Sequence, residues 1–325
     1  MDILLLGNRR AGKSSILKVV FQKMSPNETL FLESSHKIDT LQVSNNPFTQ
    51  FTIVDFPGSF EVSQANAQEK RYLASCSVVI YVLDAQDEPY SHAIERMHQI
   101  ARELKTVNPR AAIEVFVHKV DAEMYVNDEM KLELLNSVED QIRQEQGEQS
   151  IPELRYHATS IYDHSIYEAL SKVVQRITPQ VPYLQNMLDL LMSNCRIDKV
   201  YVFDVISKLY IATDSTPVDM ISYELCSDMI DVVIDVSCIY GMTFNSDNFD
   251  QAFDSKSTSV IRLNNGLTLY LREVEHLLAL VCLVKEDNFD RQHLIDYNIN
   301  CFKEGARKIF EVGKTTVKEE VKSRC

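Results

Sequence analysis

The sequence predicts an α/β protein in which a mixed, mostly parallel sheet is followed by a second, α+β domain. Three observations support this prediction. Short apolar runs alternate with helical patterns over the first 178 residues, which is typical of a doubly wound sheet. A glycine-rich loop joins the first apolar run to the first helical pattern. Finally, Pro179 and Pro182 punctuate the chain, and a length of 325 residues favours two domains.

The elements of the first domain follow from apolar runs of strand length and from helical spacing. An opening strand ends at Leu6, and two further strands at 38–43 and 48–56 are predicted to form an antiparallel edge hairpin. The remaining strands are predicted at 77–83, 113–117 and 154–161, and the helices at 90–105, 127–145 and 165–177.

The second domain has a different order of elements, namely helix, hairpin, helix, three strands and helix. The predicted elements are a helix from 184, strands at 199–205 and 208–213, a helix at 218–239, strands at 259–263, 267–273 and 279–284, and a helix at 290–311. Residues 313–325 are charged and lack apolar periodicity, so a disordered tail is predicted. Asp204, Cys226 and His276 have no partner at catalytic spacing, which indicates surface or core residues.

The segment from Gly7 to Ser14 matches the phosphate-loop pattern G-x-x-x-x-G-K-[ST]. Gly7 and Gly12 permit a nest of backbone N–H groups, and the following helix adds its positive N-terminal end. Lys13 can reach the β- and γ-phosphates, and the hydroxyl of Ser14 can bind Mg²⁺. Because a strand precedes the loop and a helix follows it, a nucleotide site is favoured over a ligand-free turn.

A second motif ends the strand at 48–56, where Asp55 is followed by Gly58. A carboxylate in this position holds the Mg²⁺ water shell in phosphate-loop enzymes, and the N–H of Gly58 could meet a γ-phosphate. Asp55 alone could equally be a strand-end cap. Its place 41 residues after Ser14, followed by Pro57 and Gly58, favours the functional interpretation.

A third motif, His118 to Asp121, closes the strand at 113–117. The carboxylate of Asp121 can accept two hydrogen bonds that guanine offers and adenine does not, so it would select the base strongly. The stem of Lys119 could cover one face of the base. Thr159, Ser160 and Ile161 end the next strand, where a backbone N–H could meet the guanine oxygen.

Composition narrows the range of partners and compartments. The formal net charge of −14 disfavours nucleic acid or an anionic membrane surface as a main partner. Seven single cysteines without a C-x-x-C pair indicate free thiols in a reducing compartment, and we therefore expect a cytoplasmic protein.

These motifs, in this order, resemble the Ras-like GTPases, and longer segments are similar to the Rag/Gtr GTPases of the RagC/RagD type. The segments that carry the similarity are 18–21, 24–34, 55–58, 118–121 and 159–166. The resemblance implies a Ras-like P-loop G domain over residues 1–178. It also implies a roadblock/longin-like dimerisation domain over 182–312. His118, in place of Asn, is this family's form of the base motif.

The resemblance also implies roles for individual residues. Nucleotide contacts are expected from Arg9, Arg10, Ala11, Gly12, Lys13, Ser14, Ser15, Ser35, Gly58, His118, Lys119, Asp121, Ser160 and Ile161. Ser14, Ser35 and, through water, Asp55 would hold Mg²⁺, and Lys13, Ser35 and Gly58 would serve catalysis.

The sequence departs from its relatives at Ser59, where the family has a Gln in the position that usually orients the attacking water. Arg9 and Arg10 are a second unusual feature, because many small GTPases carry Gly there. They are expected either to be solvated or to limit access to the γ-phosphate.

The resemblance implies a GTPase that binds GTP or GDP with Mg²⁺ and hydrolyses GTP slowly unless a folliculin-type activating protein assists. It would pair with a RagA/RagB-type subunit and bind a Ragulator/Ego-type scaffold, which would recruit it from the cytoplasm to the lysosomal or vacuolar membrane. There it would report amino-acid supply to TOR complex 1. A module that holds nucleotide without hydrolysing it, and a metabolic kinase or ATPase, remain as alternatives.

Overall fold

The computed structural model describes residues 2–46, 48–121, 125, 127–146, 153–241, 253–254 and 256–324. The chain divides into two compact units. The first comprises Met1–Val43 and Gln50–Val173, and the second comprises Ser44–Thr49 and Val174–Cys325. The division therefore falls inside the helix predicted at 165–177, and a short segment near residue 46 groups with the second unit.

The first unit is built on a sheet whose described strands follow the order β2-β3-β1-β4-β5-β6. The strands are β1 Asp2–Gly7, β2 Asp39–Asn46, β3 Thr49–Asp55, β4 Val78–Asp84, β5 Ala112–His118 and β6 Leu154–Thr159. β1 pairs in parallel with β3 and β4, and the pairs β4–β5 and β5–β6 are also parallel. A mostly parallel sheet places the ends of β1, β3, β5 and β6 at one edge, which is where the predicted motifs lie.

Helices connect these strands, and the apolar spacing predicts four of the five. They are α1 Lys13–Gln22, α2 Ala67–Ser75, α3 Ser91–Val107, α4 Asp128–Gln146 and α5 Ser165–Ile177, with 3₁₀ turns at Pro26–Phe31 and Val62–Gln64. β1, β4 and β5 are almost completely buried, because helices cover the sheet on both faces. The sheet is thus a rigid base for the loops at its carboxyl edge.

The second unit contains a sheet with the strand order β8-β7-β11-β10-β9 in its described residues, and the pairings given by its register are antiparallel. Its elements are α6 Val181–Cys195, β7 Lys199–Asp204, β8 Tyr210–Thr213, α7 Met220–Gly241, β9 Thr258–Arg262, β10 Leu267–Glu275, β11 Leu278–Lys285, α8 Glu286–Phe289 and α9 Gln292–Arg324. Apolar side chains of α6, the central strands and α9 form its core, which includes Leu188, Leu280 and Phe302. None of the helices within the described residues is long and apolar enough to cross a membrane.

Three helices differ from the sequence prediction, namely α2, the short and unpredicted α8, and the extended α9. The helix α2 was not predicted, although Asn66 accepts hydrogen bonds from the N–H groups of Gln68 and Glu69 in a capping box that marks its start. The final helix continues to Arg324, whereas the sequence predicts a helix that ends at 311 and a disordered tail from 313. The extension has a local cause, since Lys and Glu have high helix propensity and an existing helix lengthens without a new nucleus.

Candidate nucleotide-binding site

The phosphate loop connects β1 to α1 in a conformation that requires its two glycines. Gly7 and Gly12 have φ values of 144° and 99°, which L side chains rarely adopt. Space is also restricted, because a Cβ on Gly7 would lie 2.3 Å from the carbonyl oxygen of Val82. A Cβ on Gly12 would lie 2.5 Å from Cδ2 of His118. The loop is therefore packed directly against β4 and the base motif.

Lys13 is buried across the loop. Its Nζ donates to the carbonyl oxygens of Gly7 at 3.0 Å and Asn8 at 2.8 Å. Burial lowers the pKa of Lys13 to about 8, with Asp55 opposing this shift and Arg96 adding to it. Burial disfavours the positively charged form of this ammonium group. A bound phosphate anion would stabilise that form, so Lys13 is well placed to bind phosphate.

Two of the three residues predicted to hold Mg²⁺, Ser14 and Asp55, are in direct contact. The hydroxyl of Ser14 donates to Oδ2 of Asp55 at 2.5 Å. The other carboxylate oxygen, Oδ1, is buried and has no hydrogen-bond partner among the described residues. Burial raises the pKa of Asp55, and the bond from Ser14 opposes that shift.

This donor set fits a magnesium ion. An unpaired buried carboxylate oxygen beside a hydroxyl is a pair of hard oxygen ligands, which Mg²⁺ combines with phosphate oxygens and water. The described residues contain no cluster of three His, Cys, Asp or Glu side chains that could hold a metal alone. With a nucleotide bound, an ion held by Ser14 and Asp55 would neutralise phosphate charge.

The loop after Asp55 contacts the phosphate loop at Gly58. A Cβ on Gly58 would lie 2.5 Å from both N and Cα of Arg9, so the two backbones touch. Gly58 lines the nucleotide cavity, whereas the exposed Ser59 lines a different cavity of about 730 Å³. Ser35, which is half-buried, lines the nucleotide cavity from the opposite loop.

The base motif is held by bonds within the sheet edge. Nδ1 of His118 lies 2.9 Å from Oγ1 of Thr159, and burial lowers the pKa of His118 to about 4, so its ring is neutral at physiological pH. The hydroxyl of Ser160 donates to Oδ1 of Asp121 at 2.9 Å. Asp121 is thereby oriented through one oxygen, and the residue lines the cavity.

Both the backbone and the side chain of Lys119 are held in place. Its backbone has a positive φ of 67°, and its carbonyl accepts a hydrogen bond of 3.0 Å from Nε2 of Gln86. Its Nζ forms an ion pair of 2.5 Å with Asp84 at the end of β4. Sequence reasoning missed Asp84 and Gln86, although a carboxylate at the end of a predicted strand could have been considered.

These groups surround one cavity of about 660 Å³. Of the predicted site residues, its lining includes Arg9, Arg10, Ala11, Gly12, Lys13, Ser14, Ser15, Ser35, Gly58, His118, Lys119, Asp121 and Ile161. Asp55 and Ser160 are linked to it through their bonds to Ser14 and Asp121. The structure adds Thr29, Leu30, Leu32, Glu33, Ser34, Gln86 and Tyr162 to the lining. Arg9 and Arg10 are exposed, in agreement with solvated side chains at the cavity rim.

A phosphate loop, an Asp–Ser pair and a carboxylate-bearing base motif at the carboxyl edge of a mostly parallel sheet define a Ras-like G domain. Residues 2–230 match the family model described as "Gtr1/RagA G protein conserved region". The chain belongs to this family of G proteins, which implies GTP and GDP binding and GTPase activity.

Individual relatives refine the comparison. The chain is 49% identical to the human "Ras-related GTP-binding protein C", over 97% of this chain and 78% of the relative. It is 44% identical to "GTP-binding protein gtr2" of Schizosaccharomyces pombe, over 95% of this chain and 97% of the relative. Identity to "GTP-binding protein GTR1" of Saccharomyces cerevisiae is 22%, over 93% of this chain and 96% of the relative. The similarity is thus much greater to the RagC/RagD/Gtr2 proteins than to this Gtr1 relative.

Proposed function

We propose that this protein is the RagC/RagD-type subunit of a heterodimeric Rag GTPase and that it signals amino-acid sufficiency to TOR complex 1 at the lysosome or vacuole. One observation supports the nucleotide chemistry. Lys13, Ser14 and Asp121 line the same cavity, and the buried Asp55 accepts a hydrogen bond from Ser14. The identities of 49% and 44% to the human and Schizosaccharomyces pombe relatives support the subunit type, and the pathway, the scaffold and the membrane location are proposed from the resemblance to the Rag/Gtr family.

Guanine nucleotide is favoured over adenine nucleotide by the base end of the cavity. Asp121 lines the cavity, and the hydroxyl of Ser160 holds Oδ1 of its carboxylate. Guanine can donate two hydrogen bonds to such a group and adenine cannot. Equilibrium binding of GTP and ATP to the full chain with Mg²⁺ tests this assignment. Equal affinities would contradict it and would favour a general nucleotide-binding enzyme.

The partner is proposed to be a RagA/RagB-type subunit that contacts the second unit. Val232, Val236 and Ile239 recur on one side of α7 and are 50%, 51% and 70% exposed. β9 lies at the edge of the described sheet, where its backbone groups can pair with another strand. An apolar helix side and an open sheet edge suit a roadblock-like pairing with a homologous domain.

Co-expression tests this pairing. We expect residues 174–325 to co-purify with a RagA/RagB-type subunit, and a double substitution of Val232 and Val236 by Asp to abolish the association. The matched control is Val107→Asp, because Val107 is an exposed valine of the first unit. If association required residues 1–173 and tolerated the double substitution, the proposed interface would be wrong.

A second candidate function is a module that binds nucleotide with almost no hydrolysis. The exposed position of Ser59, which lines a different cavity, favours it for the isolated chain. We propose slow intrinsic hydrolysis that depends on an activating protein of the folliculin type. Single-turnover rates with and without such a protein distinguish the two candidates, since the binding module would show no acceleration.

A further inference from the structure

Arg96 lies in α3, outside every motif of the nucleotide site, yet its guanidinium group joins two nucleotide loops. Nη1 donates to Oδ1 of Asn8 at 3.1 Å and to the carbonyl oxygen of Gly58 at 2.9 Å. Nη2 donates to the carbonyl oxygen of Phe60. The side chain is half-buried, so these bonds are partly shielded from water.

The three acceptors belong to the phosphate loop and to the loop that follows Asp55. These loops also touch directly, because a Cβ on Gly58 would lie 2.5 Å from backbone atoms of Arg9. A guanidinium group presents several N–H donors in a rigid plane, which suits simultaneous bonds to separate acceptors. Arg96 therefore fixes the loop after Asp55 against the phosphate loop.

We propose that Arg96 is a positioning residue that selects the triphosphate by holding Gly58 where its N–H can face a γ-phosphate. This inference rests on the proposed GTP-binding function. GDP lacks the γ-phosphate, and loops of this type are ordered by γ-phosphate contacts. Removal of Arg96 therefore weakens GTP binding more than GDP binding.

The geometry indicates positioning rather than direct catalysis. The donated bonds of Arg96 reach an amide oxygen and two backbone carbonyls of the protein, so the group acts on the nucleotide through Gly58. Lys keeps the charge but lacks the planar fork, and it can replace these bonds only in part. A graded response from Arg to Lys to Ala is accordingly expected.

The test measures dissociation of GDP and of a fluorescent, non-hydrolysable GTP analogue from the full chain with Mg²⁺. Arg96→Ala should release the GTP analogue about tenfold faster, the effect of losing hydrogen bonds to a charged group that together contribute roughly 1.4 kcal/mol. Release of GDP should change less than about twofold, and Arg96→Lys should be intermediate. The matched control is Arg102→Ala, because Arg102 lies on the same helix and its Nε donates to the carbonyl of His98.

If Arg96→Ala released GDP and the GTP analogue faster to the same extent, the proposal would be wrong, because Arg96 would then stabilise the site whether or not a γ-phosphate is bound. An unchanged release of both would overturn it as well. If Arg96→Ala fails to fold, Asn8→Ala removes one acceptor only, and a GTP-selective acceleration is still required. If the wild-type protein bound no GTP, the proposed function itself would be wrong. If the wild type bound GTP normally and the variants released both nucleotides equally fast, only the inference about Arg96 would be wrong.

Discussion

Two buried aspartates, one in each unit, end their strands in contrasting surroundings. Asp55 is the last residue of β3 and Asp204 is the last residue of β7, and burial raises the pKa of both. Asp55 accepts a bond from Ser14, while its Oδ1 is unpaired within the described residues. Asp204 accepts from Nδ2 of Asn45 at 2.8 Å, from Nδ2 of Asn46 at 2.7 Å, and from both the N–H and the hydroxyl of Ser207.

The difference separates a structural carboxylate from a ligand-binding one. A buried polar atom without a partner costs free energy, so its retention in a native fold suggests a ligand that completes it. The carboxylate of Asp204 accepts four hydrogen bonds from the protein itself, so it does not require a ligand. The second unit repeats this pattern in the buried pair of Lys199 and Asp214, which Thr216 also contacts.

The largest expected effect tests this contrast directly. Asp204→Ala leaves buried donors of Asn45, Asn46 and Ser207 without their acceptor, and should lower the free energy of unfolding by roughly 3 to 5 kcal/mol. Asp55→Ala removes a carboxylate that is already incompletely paired, and should lower it by less than about 1 kcal/mol while abolishing Mg²⁺-dependent GTP binding. Urea unfolding of both variants measures the free energies.

Asp204→Asn is the matched control, because it keeps one acceptor oxygen and the size of the side chain. It should be intermediate in stability, and it should bind nucleotide as the wild type does. Equal destabilisation by Asp55→Ala and Asp204→Ala would abolish the distinction between the two aspartates.

A second prediction concerns His118, a buried site residue whose Nδ1 is bonded to Thr159. Its pKa is lowered from 6.5 to about 4, mainly by burial, with Lys119 adding to the shift. The unfolded chain therefore takes up a proton below pH 6.5 that the folded chain refuses until about pH 4. Stability should fall across this window as the pH decreases, by about 3 kcal/mol in total from this group.

Unfolding free energies of the wild type and His118→Asn, measured between about pH 7 and pH 4.5, isolate the contribution of this group. Other titrating groups are common to both proteins, so the difference between the two curves should shrink as the pH decreases. Parallel curves would show that His118 is protonated as readily in the folded protein as in the unfolded chain.

A third prediction concerns Asp121, whose carboxylate is proposed to accept hydrogen bonds from the guanine base. Asp121→Asn exchanges a carboxylate for an amide, which can also donate, and should change the preference from guanine to xanthine. Loss of a hydrogen bond to a charged group costs about 1.5 to 3 kcal/mol, or roughly tenfold or more in GTP affinity. Competition between GTP and xanthosine triphosphate measures the preference, and ATP affinity serves as the control. An unchanged preference for GTP would place Asp121 outside the base pocket.

Much of the first unit could be predicted from the sequence because its determinants are local. The phosphate loop, Asp55 and the base motif are recognisable from short spacings, and the parallel sheet then places them at one edge. Arg96 could not be found in this way, since a charged residue on an amphipathic helix is usually solvated. Its role depends on bonds to residues 88 and 38 positions away.

The same limit applies to Asp204, which the sequence predicts only as a surface or core residue. Its partners Asn45 and Asn46 lie 159 and 158 residues earlier in the chain, and the predicted edge hairpin around them gives no indication of this contact. Ordinary spacing rules describe neighbours along one element, so a contact between distant segments of one unit requires the folded structure.

The last prediction concerns Ser59, which stands at the position predicted to orient the attacking water. Ser59 is exposed and shares its cavity of about 730 Å³ with Asn8, Arg9 and Arg96, whereas the neighbouring Gly58 also lines the nucleotide cavity. Its hydroxyl is shorter in reach than a Gln amide, so we expect water to be poorly positioned, although Lys13, Ser14 and the Gly58 N–H remain to stabilise charge. Ser59→Gln should raise the single-turnover rate of GTP hydrolysis about tenfold, which corresponds to roughly 1.4 kcal/mol off the barrier. Ser63→Gln, which makes the same change elsewhere in that cavity, should leave the rate unchanged. An equal or lower rate for Ser59→Gln would show that water is positioned by another group, and residue 59 would then have no role in hydrolysis.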